Sequence, residues 1–208
     1  MIEFQVFDAL VYLVPGVILV ASVVLCLRKE SIESLSLQPD TFLGIVVFGV
    51  AAFSAGFVIH LISGPLFVFL NKALFGLSPL HHATDVFVER QDLPRLKSEL
   101  EEHLGITTDD FTDLYRYATY AVISSDNPLA SRIDRLQSLA LMSRNLTATV
   151  PIASVLAFCG LRLWNSRRWF AWAAIGLVPI VAGVLHIGAW QFSVATVLAT
   201  YRSILLVL

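Results

Sequence analysis

Long uncharged runs flank a polar middle, and that alternation sets the plan of the chain. Ala9 to Leu27 is a run of 19 residues without a charge, enough to cross a ~30 Å hydrocarbon core as a helix. Pro15-Gly16 lies one or two turns inside it, where a kink or a broken first turn is expected. A polar loop from Arg28 to Thr41 follows. Phe42 to Leu70 is a second uncharged run, of 29 residues. That is longer than a bilayer requires, so it is expected to tilt or to break at Gly64-Pro65.

The segment from 71 to 142 is the only substantial polar region. Leu93, Leu96, Leu100 and Leu104 recur at helical spacing and are followed by Gly105 as a C-terminal cap. Thr107 or Thr108 is placed to cap a second helix through Phe111, Leu114, Tyr115, Ala118 and Val122, ending near Ser124. Asn127 and Pro128 then form a helix start. From there the pattern predicts one nearly continuous helix to Trp164, ~55 Å long at 1.5 Å per residue. It passes Arg132, Asp134, Arg135 and Arg144 before the uncharged Asn145 to Leu161. Trp169 to Trp190 is the last clear span. Its helix is expected to continue beyond the lipid, with the tail Ile204 to Leu208 buried against protein. Trp164, Trp169, Trp172 and Trp190 sit near the ends of apolar runs, where indole rings favour the interface.

Composition agrees with this pattern. Hydrophobic residues make up 57% and charged residues 14% of 208, and the mean hydropathy is +0.76. A soluble globule would have too little polar surface to cover itself. The expected fold class is an all-α integral membrane protein with four transmembrane helices (about 9–27, 42–70, 145–163 and 169–190) and a small soluble helical module between spans two and three. The expected units are a membrane hairpin at 1–70, the module at 71–142, and a second hairpin with its helical tail at 143–208. A net charge of −2 gives no concentrated basic surface for nucleic acid. The N-terminus lacks the basic region of a cleaved signal peptide, so the first span is read as retained. Nine Lys/Arg fall on the side of the module and the C-terminal tail and five in the two short loops; near the span ends the two sides are close to equal, and the module is assigned to the cytoplasm.

Candidate functional residues are few. His60 and His186 lie inside spans two and four, each ~26 Å along its helix and near the module side. An ionisable residue at that depth is a candidate for a pore or polar relay, with an ordinary interhelical hydrogen bond as the alternative. Ala52, Gly56, His60 and Gly64 fall four apart on one face of the second span, and Gly176 and Gly183 flank Pro179 in the fourth. Small residues at this spacing let helix backbones approach closely. Arg132, Arg135 and Arg144 approach the membrane along the connecting helix, where they could meet lipid headgroups, a phosphorylated ligand or acids of a neighbour. His81-His82 with Asp85 is the nearest approach to a metal set but has no further ligands. No catalytic motif and no cofactor fingerprint occurs. A membrane-embedded metal hydrolase using His60, His186 and an acid is disfavoured, because no Asp or Glu lies in any span.

The opening Phe7-Asp8-Ala9-Leu10-Val11-Tyr12-Leu13-Val14-Pro15-Gly16, the lead from Arg132 and Arg135 to Arg144-Asn145, and the late Tyr201-Arg202 resemble features of small bacterial membrane proteins from anti-phage operons. The four-span layout is similar to the membrane effector of the Hailong system and, more loosely, to the membrane subunit of Kiwa. The resemblance implies a homo-oligomer, with a tetramer favoured, in the bacterial inner membrane. Such a protein conducts ions when a nucleotide signal or a partner releases it, or senses membrane disturbance and recruits a soluble operon partner. Tyr201 and Arg202 join the three arginines as ligand, lipid or partner candidates.

Overall fold

A computed structural model describes residues 6–26, 42–89, 92–124, 128–164 and 168–207. Among them the chain forms seven helices and no strand: α1 (Val6–Cys26), α2 (Phe42–Phe75), α3 (Pro79–Glu89), α4 (Asp92–Leu104), α5 (Phe111–Ser124), α6 (Pro128–Trp164) and α7 (Arg168–Val207). Three contain stretches long and apolar enough to cross a membrane, Gly44–Phe75, Ala130–Gly160 and Gly176–Leu206, and Ala9–Val24 is a shorter apolar helix. The class is therefore all-α and consistent with a multi-pass membrane protein. The predicted cap Asn127 and the loop 28–41 lie outside the described residues, as do the side chains of Trp164, Trp169 and Trp172.

Backbone contacts divide the chain into two compact units, Met1–Phe67 with Leu141–Gly188 and Val68–Ala140 with Ala189–Leu208. In the first, α1 meets α2 at near-contact of their backbones. A Cβ added to Gly56 would overlap the carbonyl of Tyr12, and one added to Gly16 would overlap the carbonyl of Ala52. Ala52 itself has no exposed surface. Glycine is required at these two positions because lipid gives helices no hydrophobic reason to associate, so close packing has to hold them. Gly64, Gly176 and Gly183 make no such approach among the described residues. The break considered at Gly64-Pro65 does not occur: α2 runs through Pro65 to Phe75. A single proline removes one hydrogen bond, and the flanking turns keep the rest.

The second unit has a core suited to water. Phe87 of α3, Leu96 and Leu100 of α4, Leu114, Ala118 and Val122 of α5, Ile133 of α6, and Val197, Tyr201 and Ile204 of α7 are buried together. Burial pushes the Tyr115 phenol above its ordinary value. The tail expectation is met in part, since Ile204 is 1% exposed and Leu206 is 77% exposed. Helix α3 is an addition to the predicted elements. It starts where Ser78 Oγ accepts the His81 amide at 3.3 Å, with Pro79 at its first position. Gly105 adopts φ +65° and donates to the Glu101 carbonyl at 2.9 Å, the expected glycine cap of α4. The cap of α5, by contrast, is Asp110 and neither threonine. Its Oδ1 accepts the amides of Thr112 at 2.6 Å and Asp113 at 3.3 Å. Asp110 wins because helical geometry begins at Phe111, and the threonines stand too far ahead of it.

Two outcomes test this packing. Gly56→Val is expected to lower stability by ~1–3 kcal/mol, as overpacking does, while Gly64→Val stays within ~0.5 kcal/mol; thermal melts of both in detergent check the contrast. The backbone amides of Thr112 and then Asp113 hold the Asp110 carboxyl below its ordinary value. Its contribution to stability is therefore complete above that ordinary value and is lost as the pH falls through the lowered one. Asp110→Asn should flatten the acid limb of the helical signal read by circular dichroism.

Candidate functional site

Several polar side chains of the first unit gather around residues 143 to 149 of α6. Two hydroxyls are satisfied locally, Thr147 Oγ1 by the Ser143 carbonyl at 2.9 Å and Thr149 Oγ1 by the Asn145 carbonyl at 2.9 Å, a common arrangement where water is absent. Asn145, with no exposed surface, does something different. Its Nδ2 donates to the Val11 carbonyl of α1 at 3.0 Å, and its Oδ1 accepts the Ser63 hydroxyl of α2 at 2.7 Å. In an α-helix the Val11 carbonyl would take the amide of residue 15, but residue 15 is proline and has no N–H. Asn145 supplies the missing donor from another helix. A side chain on α6 thereby completes the backbone of α1 and ties both to α2.

Arg144, the next residue back, turns to His60. One terminal nitrogen of its guanidinium lies 3.1 Å from His60 Nδ1 and 3.4 Å from Nε2. The two ring nitrogens point away from each other, and an in-plane atom at both distances would collide with Cε1. The guanidinium therefore rests over the ring face, where a cation is attracted to the π-system. Tyr12 of α1 meets the same imidazole edge-on, with ring centroids 5.2 Å apart, and also contacts Phe53 and Phe57 at 5.5 and 6.1 Å. Arg144 Nε is buried and has no hydrogen-bond partner among the described residues. The result is a cation, an imidazole and a phenol ring assembled from three helices.

The other candidates are placed elsewhere. His186 is 2% exposed and packs edge-on against Phe67 at 5.2 Å. Arg132 and Arg135 are exposed on α6, and Arg202 is exposed on α7. Tyr201 has no exposed surface. Its hydroxyl is 3.5 Å from Thr84 Oγ1 and its ring meets Phe87 at 5.1 Å, so it serves the core and is not presented to a ligand. His81 and His82 diverge as adjacent helical residues must. The first is 2.7 Å from Ser78 Oγ, and the second lies against Trp190 with centroids 4.9 Å apart. No group of three His, Cys, Asp or Glu side chains that could hold a metal occurs among the described residues. The second unit carries a cleft of about 340 Å³ lined by Lys97, Glu101, Thr107, Thr108 and Asp109. Lys97 Nζ donates to Asp109 Oδ1 there at 2.6 Å, and that hydrogen bond, then the lysine charge, holds the Asp109 carboxyl below its ordinary value.

The role of Asn145 is open to a direct test. Asn145→Leu is expected to cost ~1–3 kcal/mol by leaving the Val11 carbonyl without its donor, while the Ser63 hydroxyl keeps the His60 carbonyl at 3.0 Å. In a Pro15→Ala background residue 15 regains its amide, so the same substitution should cost less. A double-mutant cycle on thermal stability reads the coupling as non-additivity. Against known proteins there is no parallel to set beside this arrangement: no family model, curated protein or solved structure matches the chain.

Proposed function

We propose that this chain is a non-enzymatic, homo-oligomeric membrane protein in which the helical module controls a four-span membrane domain, α1 being the fourth span. In this reading it is a channel-type effector of the bacterial inner membrane, with a cytoplasmic module and a role in anti-phage defence. The observation that carries the reading is the Arg144–His60 contact. Ionisable side chains inside apolar helices are costly and mark ion pathways or relays, and these two converge from different helices.

Continuity along α6 and α7 adds support. Ile133 belongs to the module core and Arg144 and Asn145 to the membrane cluster, yet all three lie on the one helix Pro128–Trp164. A trigger, whether a nucleotide signal or a protein, shifts such a gate only by binding one state better than the other.

A second reading, a membrane sensor or anchor that recruits a soluble operon partner, is favoured by a different observation. The outward side chains of the long helices are apolar, with Ile45, Val50, Val58, Leu61, Val184 and Ile187 among them, while Ser63, Ser143, Asn145, Thr147 and Thr149 are buried. Such a surface suits lipid better than a water-filled lumen between subunits.

Conductance of the purified protein in planar bilayers separates the two. The channel reading expects ion currents that change in conductance or open probability with His60→Ala and persist with the module-side Arg132→Ala. Silent bilayers together with a monomer in native mass spectrometry would remove it. Silence together with stable co-purification of a neighbouring operon product would favour the anchor.

A further inference from the structure

We propose that Arg144, with His60 and Tyr12 beside it, is a binding site for the phosphodiester of an anionic lipid headgroup. The inference rests on the chain lying in a bilayer and on nothing further in the channel reading.

A guanidinium only partly open to solvent on an apolar helix favours a compensating anion, because an uncompensated charge outside water is costly. Arg144 Nε is sealed from solvent without a partner among the described residues, and the group that one terminal nitrogen does meet, His60, brings no negative charge. None of the ion pairs among the described residues includes Arg144. No Asp or Glu occurs from Ala9 to Leu27, from Phe42 to Leu70 or from Asn145 to Leu161. The compensating charge is therefore sought outside the apolar runs.

Depth indicates where it comes from. The uncharged run of α1 begins just after Asp8 and that of α6 just after Arg144. They measure 19 and 17 residues, or ~28 and ~25 Å, close to one hydrocarbon thickness. Arg144 thus lies at the start of its apolar run and Tyr12 one turn inside its own, near the level at which lipid phosphates begin, with His60 of α2 beside them. The planar guanidinium fork matches a phosphate through parallel N–H donors, and with Nε sealed the donors left to a phosphate are the terminal nitrogens. Phe53 and Phe57, which touch Tyr12, are 40% and 48% exposed and offer an acyl chain a path just below the headgroup. That apolar flank favours a lipid over a free anion.

The test is retention of phosphatidylglycerol against phosphatidylcholine by the full-length protein, released from mixed nanodiscs and weighed by native mass spectrometry. Wild type is expected to keep phosphatidylglycerol preferentially. Arg144→Gln should reduce that preference about tenfold, the equivalent of ~1.4 kcal/mol, and Arg144→Lys should keep part of it, since charge remains without the fork. Equal retention by wild type and Arg144→Gln would overturn the site. Should Arg144→Gln fail to fold, wild-type melting in the two lipids decides: higher in phosphatidylglycerol supports the proposal and equal values refute it. Asp8 stands one helical turn before Tyr12, and Asp8→Asn should leave retention unchanged. If retention rises instead, Asp8 is the counter-charge and the lipid assignment is wrong. Millimolar inorganic phosphate should not displace the lipid; displacement, with stabilisation by phosphate in lipid-free detergent, would assign the site to a free anion and overturn the proposal.

Discussion

An unfilled carbonyl in α1 is the constraint around which the first unit is arranged. Pro15 deprives the Val11 oxygen of its helical donor, and in an apolar medium that oxygen has no water to turn to. Asn145 of α6 fills the vacancy at 3.0 Å and holds the Ser63 hydroxyl with its other end. The bond can form only if the helices are close. Gly16 and Gly56 let α1 and α2 come within backbone contact, and with that spacing fixed, Tyr12, His60 and Arg144 fall into one cluster. The proline that opens the helix and the glycine that follows it are thus two halves of one device.

The second unit solves the opposite problem. Here short amphipathic helices bury one apolar face each. Three helices of 11, 13 and 14 residues enclose little core on their own, and the shortfall is met by Ile133 from α6 and by Val197, Tyr201 and Ile204 from α7. At the end of the last helix Val197, Tyr201 and Ile204 thereby find their apolar partners within the same chain.

The sequence was most informative where one force dominates. The long apolar helices, the α4 cap at Gly105 and the core face of α5 were legible because uncharged length, a left-handed glycine and helical periodicity each leave an unambiguous mark. Helix α3 was missed although Ser78-Pro79 opens it and Leu80, Ala83, Thr84 and Phe87 follow at helical spacing. Its adjacent histidines with Asp85 lay a metal-like pattern over that periodicity. The α5 cap was misplaced because Thr107, Thr108, Asp109 and Asp110 are all acceptable caps in isolation, and only the observed helix start selects among them. His60 and Arg144 were each singled out, but nothing in one chain's spacing says that a residue on α2 meets a residue 84 positions later. The same limit hid Asn145: a proline at position 15 announces a lone carbonyl without naming its donor.

Helix length then constrains how such a protein can move. Helices α2, α6 and α7, of 34, 37 and 40 residues, measure ~51, ~56 and ~60 Å, well beyond a ~30 Å hydrocarbon core. In α6 and α7 the excess carries module residues, whereas in α2 it stays apolar and exposed through Val68, Phe69 and Leu74. Opening one of these helices midway would strand backbone groups that lipid cannot satisfy. Motion within the membrane is thereby confined to sliding, tilting or rotation of whole helices. Any such motion of α6 strains the bond from Asn145 to Val11, so the contact that completes α1 also resists displacement of the helix that reaches into the module.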